Sequence, residues 1–67
     1  MTTVIDLFKL LTDDTPIIIR NSIGDTLYEG TMDVVFNELS IDELLTNVRM
    51  MFYSKLCNAL VFELDEQ

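Results

Sequence analysis

The chain has 67 residues, of which 49% are hydrophobic, with twelve acidic side chains against four basic ones and a formal net charge of −8. That length gives one domain with a small core, and the high apolar share argues against disorder. The charge argues against direct nucleic-acid binding, which needs Lys and Arg to neutralise phosphates. Histidine is absent and Cys57 is the single cysteine, so an internal disulfide, Cys/His zinc sites and His-based catalysis are excluded.

Thr2 or Thr3 can cap a first helix running to about Leu11, with Val4, Leu7, Phe8, Leu10 and Leu11 as its apolar stripe. Asp6 in its first turn has the favourable sign for the helix dipole. Thr15–Gly30 then reads as a β-hairpin. Pro16 opens it, and Ile17, Ile18 and Ile19 are β-branched residues suited to a pleated surface. Asn21, Ser22, Gly24 and Asp25 form the turn, Thr26–Tyr28 the return strand, and Gly30 its end.

Met32, Val35, Phe36 and Leu39 have helical spacing in a segment so short that it reads as a helical turn or irregular crossover. Ser40-Ile41-Asp42-Glu43 matches a capping box and starts a second helix through Leu44 and Leu45. Two readings of the next segment compete. One helix could run from Ile41 to Leu56, or Val48–Tyr53 could be a strand paired with Ala59–Leu64 across a turn at Ser54–Asn58. The second is preferred because it gives the final strand an adjacent partner. The expected fold is an α+β domain of order α-β-β-α-β-β, a small antiparallel sheet of about four strands with two short helices on one face.

Period-two alternation places Ile17 and Ile19 on one face of the sheet, and Ile18 and Arg20 on the other. It likewise sets Val48, Met50 and Phe52 against Met51 and Tyr53, and Leu60, Phe62 and Leu64 against Val61. The face without helices would then display Ile18, Met51, Tyr53 and Val61, a set too apolar to leave in water. Self-association, as a homodimer, is the expected remedy, with a bound protein the other.

The acidic residues Asp13, Asp14, Asp33, Glu38, Asp42 and Glu43 are candidates for the electrostatic part of a surface that meets a basic protein. They read equally as solvated loop and cap residues that keep an apolar small protein soluble. The pairs Asp13/Asp14 and Asp42/Glu43 could offer oxygen ligands to a cation, but neither lies in a Gly-containing calcium loop, and no metal or other cofactor is expected. No run approaches the length of a membrane span, and no basic region precedes an apolar stretch at the N-terminus. A cytoplasmic protein that is not an enzyme, with no direct nucleic-acid or membrane binding, is the expectation.

The element order, the Ile5-Asp6-Leu7-Phe8-Lys9-Leu10-Leu11 helix, the Asp/Asn-rich turn, Leu27-Tyr28-Glu29-Gly30 and Asp42-Glu43-Leu44-Leu45 together resemble small acidic accessory proteins of phages and prophages of Gram-positive bacteria. The resemblance covers nearly the whole chain as a pattern of elements and loose motifs. Some proteins of that kind inhibit host defence systems. What the resemblance implies is a phage-encoded inhibitor that binds a host protein; the rival reading is an assembly module whose partner is itself.

Overall fold

A computed structural model describes residues 2–65. Its elements are α1 (Val4–Phe8), β1 (Pro16–Arg20), β2 (Thr26–Thr31), α2 (Met32–Glu38), α3 (Ile41–Leu44), β3 (Val48–Ser54) and β4 (Ala59–Leu64). The strands form one sheet in the order β2-β1-β4-β3.

Each helix is too short to be stable alone and forms because it packs on its neighbours, with α1 and α3 also capped. Thr3 and Asp6 make a reciprocal capping box at the start of α1, and Ser40 and Glu43 make a second at α3. α1 stops at Phe8, short of the expected Leu11. Leu10 and Leu11 donate to carbonyls only three residues back, which tightens the chain out of α-helical geometry and leaves Leu10 exposed. In the first hairpin turn the Asn21 side-chain oxygen accepts from the backbone of Ile23 and Asp25, while Gly24 takes a φ of 95° that a side chain would resist. β2 runs on through Gly30 to Thr31.

The sheet departs from expectation in one respect. It is mixed, not antiparallel: β1 and β4 are parallel neighbours at its centre, with Ile17 beside Leu60 and Arg20 beside Glu63. The segment read as a turn or irregular crossover is the helix α2, so three helices cover the sheet. The two corrections share a cause. α2 and α3 carry the chain back across the sheet from β2, so β3 starts at the same end as β2 and runs in the same direction. β4 reverses β3 and therefore runs parallel to β1. Val48–Ser54 is a strand, paired with β4 from Val48–Leu64 to Ser54–Ala59.

The main core lies between the helices and one face of the sheet. Val4 and Phe8 of α1, Met32 and Val35 of α2, and Leu39 close over Ile17, Ile19, Phe62 and Leu64. The Phe8 and Phe62 rings sit 5.8 Å apart at a tilt of 43°. A smaller cluster, Ile18, Ala59 and Val61, is buried on the opposite face of the two central strands.

If α2 is a packed helix, its adjacent valines should behave oppositely. Val35 is fully buried and Val34 faces water. Val35→Ala should cost about 2 kcal/mol from lost methyl burial and the cavity left behind, and Val34→Ala should be nearly neutral. Urea unfolding of the two variants reads this directly, and equal losses would count against the helix.

Candidate functional site

Two surfaces stand out. The first is β3, the edge strand farthest from β2. Met50, Met51, Phe52 and Tyr53 are between 38% and 53% exposed, so both faces of this strand meet solvent. Leu56, at the tip of the turn into β4, is almost fully exposed, and Asn58 closes that turn with a φ of 52°. Tyr53 donates its hydroxyl to the Asn58 side chain, which ties the strand to its turn. Among the described residues the outer edge of β3 has no strand beside it except at its start. There the Val48 N–H donates to Thr2 O at 2.8 Å and the Val4 N–H to Thr46 O at 3.1 Å.

The strand's facing pattern differs from strict alternation because a bulge lies between Val48 and Met50. Residues paired across strands share a face. Val48 pairs with Leu64, Met51 with Phe62 and Tyr53 with Leu60, so these point to the helical side; Met50 and Phe52 pair with Glu63 and Val61 on the other. The set Ile18, Met51, Tyr53 and Val61 is therefore not a single exposed face. Ile18 and Val61 lie on the helix-free face but are buried, at 8% and 3% exposure, because Glu29 on β2 and Phe52 on β3 flank them. Met51 and Tyr53 are exposed on the helical side, beyond the reach of the helices.

At the centre of the helix-free face is a polar cluster that strand-by-strand reading missed. Glu63 is buried and accepts from Arg20 of β1 at 3.0 Å and from Arg49 at the bulge. Arg49 also donates to the Ser22 carbonyl in the first turn, and Arg20 lies 5.4 Å from the centre of the Phe52 ring. The sequence signal existed: a lone cation ends one apolar strand and a lone acid sits near the end of another. Only the parallel register of β1 and β4 puts them side by side. The cluster holds two of the chain's four basic side chains.

The second surface is acidic and belongs to the helical layer and its loops. Asp13, Asp14, Asp33, Glu38 and Asp42 are exposed and Glu43 is half-buried. They fall into two groups. Asp13 and Asp33 meet at the start of α2, where the Asp33 N–H donates to Asp13 O at 3.1 Å; Asp14 beside them accepts from the Thr12 hydroxyl. The Thr31 hydroxyl donates to Asp33 and holds its carboxyl below the usual range. Glu38, Asp42 and Glu43 lie at the other end of α2 and in α3. Glu43 accepts from the Ser40 N–H, which is the main cause of its lowered pKa, and from the Tyr28 hydroxyl at 2.8 Å. It thereby ties α3 to β2, and Tyr28 is pushed above its ordinary value chiefly by that hydrogen bond. Glu43 is therefore a structural member of the set.

Beside the first group, α1 and α2 flank an open pocket of about 380 Å³ lined by Ile5, Phe8 and Phe36 together with Lys9, Asp13 and Asp33. Among the described residues no three Cys, Asp or Glu side chains converge in a way that could hold a metal ion, and no helix is long and apolar enough to cross a membrane. No protein family, curated protein or solved structure matches this chain.

The Glu63 cluster makes a prediction about pH. Hydrogen bonding from Arg49, and then the charges of both arginines, holds the Glu63 carboxyl below its ordinary value. A carboxylate with a depressed folded-state pKa stabilises the fold above its unfolded value, near 4.3, and loses that contribution as pH falls through the lower folded value. Glu63→Gln should lower the thermal midpoint at pH 7 and narrow the gap between midpoints at pH 7 and pH 3. A gap as wide as that of the unaltered chain would show that other carboxylates carry the acid sensitivity.

Proposed function

We propose that this protein is a non-enzymatic interaction protein that acts in the cytoplasm by binding a protein with a basic surface. Acidic side chains of the helical layer, chiefly Asp13, Asp14, Asp33, Glu38 and Asp42, supply long-range attraction, and exposed apolar side chains supply short-range affinity. The phage-encoded inhibitor of a host defence protein, implied by the sequence resemblance, is the specific form this function takes here.

The observation that carries the reading is the division of charge. No Asp or Glu occurs from Leu44 to Phe62, so the β3 hairpin is free of acids up to Glu63, while eleven of the twelve acids lie elsewhere than the clamped Glu63 position. Two cations are held against Glu63, leaving Lys9 and Lys55 as the remaining basic side chains. Exposed ion pairs contribute only about 0–1 kcal/mol each, so exposed acids that make no helix cap, such as Asp13, Glu38 and Asp42, are not needed for stability. Self-association through the sheet is the second reading, favoured by the exposed Met50–Tyr53 segment. The two separate by salt: electrostatic binding to a basic protein weakens as ionic strength rises, and apolar self-association persists.

Once a partner is isolated, association kinetics at low and high ionic strength test the electrostatic part. The double charge reversal Asp13→Lys/Asp14→Lys should slow association by about tenfold at low salt, with the difference closing at high salt, while dissociation changes little. Glu43→Lys should instead lower stability, since it removes a cap and the Tyr28 tie. Identical association rates for the double reversal and the unaltered chain at both salts would leave Asp13 and Asp14 as solubility residues.

A further inference from the structure

We infer that the outer edge of β3 pairs with the same edge of a second copy, antiparallel, about a two-fold axis through Phe52, joining two sheets into one of eight strands. This rests on the self-association reading and deepens it by naming the edge and the register.

The edge is available over a defined length. At its start the Thr2–Val4 segment lies along Thr46–Val48, and the bulge at Arg49 interrupts regular pairing. At its end Lys55 enters the turn. Met50–Ser54 remains, five residues of regular strand whose outer backbone groups have no neighbouring strand among the described residues. Such an edge templates another strand unless it is blunted by proline, lysine or an inward charge, and these five residues contain none.

Symmetry then restricts the register. A two-fold axis perpendicular to the sheet keeps both helical layers on the same side, so facing residues must come from the same face of each copy. Faces alternate along the strand, so the axis must pass through a residue and not between two. Centring on Phe52 pairs all five regular residues. Centring on Met51 drives Ser54 of one copy against Val48 of the other, where Thr2 already accepts the Val48 N–H. Centring on Tyr53 draws Leu56 of the turn into the ladder. The Phe52 register also gives suitable side-chain neighbours: Phe52 beside Phe52 on the helix-free face, and Met51 beside Tyr53, twice, on the helical side.

That self-matching register is what favours a second copy as the occupant, and charge selects this edge over the other. Two chains of −8 repel, so they can meet only where acids are absent or neutralised. β3 carries none, and Glu63 beside Met50 is already clamped by Arg20 and Arg49. The opposite edge, β2, carries Glu29 at its middle.

Light scattering of the unaltered chain at about 100 µM should give twice the 7.7 kDa chain mass, with the dimer fraction unchanged or larger at high salt. Met51→Lys, at a half-exposed position, should give a monomer with unchanged far-UV circular dichroism. In a Cys57→Ser background, oxidised Phe52→Cys should form a covalent dimer, because facing strand residues fall within disulfide range. Met51→Cys should cross-link poorly, since two copies of residue 51 would be diagonal neighbours about 7–8 Å apart. Faster cross-linking of Met51→Cys would overturn the register while leaving the dimer. Preferential cross-linking of Leu27→Cys on β2 would overturn the choice of edge. A monomer at all concentrations would overturn both the pairing and the self-association reading, and would leave the β3 edge to a foreign strand.

Discussion

The parallel pairing of β1 with β4 is the constraint on which the rest of the fold depends. Each hairpin contributes one strand that is apolar on both faces, and such strands avoid water only at the centre of a sheet. Ile17–Ile19 and Ala59–Leu64 are those strands, and both are buried almost throughout. Once they are adjacent, β2 and β3 become the edges, and α2 and α3 must cross over one face to connect them. The helical layer, the main core and the position of both edges follow from that juxtaposition.

The same pairing creates the cluster on the opposite face. Arg20 and Glu63 are in-register neighbours only because their strands are parallel, and the bulge at β3 swings Arg49 to the other side of the same carboxylate. Glu63 thus joins three of the four strands: its own, β1 and β3. Phe52, lying against Arg20, closes over Val61 next to it. With helices on one side and this cluster on the other, the central strands are protected on both faces, and four consecutive exposed hydrophobic side chains, Met50–Tyr53, are left on the β3 edge.

Apart from the buried Glu63, the described acids occupy the helical layer, the loops and β2, where solvent reaches them, and β3 carries none, so that strand can approach another molecule closely without electrostatic penalty from acids of its own.

The sequence by itself determined the elements whose signals are local. The Thr3 and Ser40 caps, the Asn21–Asp25 turn and the β-branched run of β1 depend on residues within a few positions of one another, and each is legible; the strand at Val48–Tyr53 is legible through its nearby hairpin partner, Ala59–Leu64. So was the α+β class. The tertiary structure alone decided which strands are neighbours, because strand order depends on contacts between residues more than forty positions apart. It decided that Met32–Glu38 is a helix, since that segment is too short to be helical without the sheet beneath Val35. It also divided Ile18 and Val61 from Met51 and Tyr53: a single bulged residue at Arg49 shifts every side chain before it to the opposite face, and burial of the first pair depends on side chains from both edge strands. The acidic residues were visible as a list, but their separation into two groups at the ends of α2, and the structural duty of Glu43, arise from the path of the helices across the sheet.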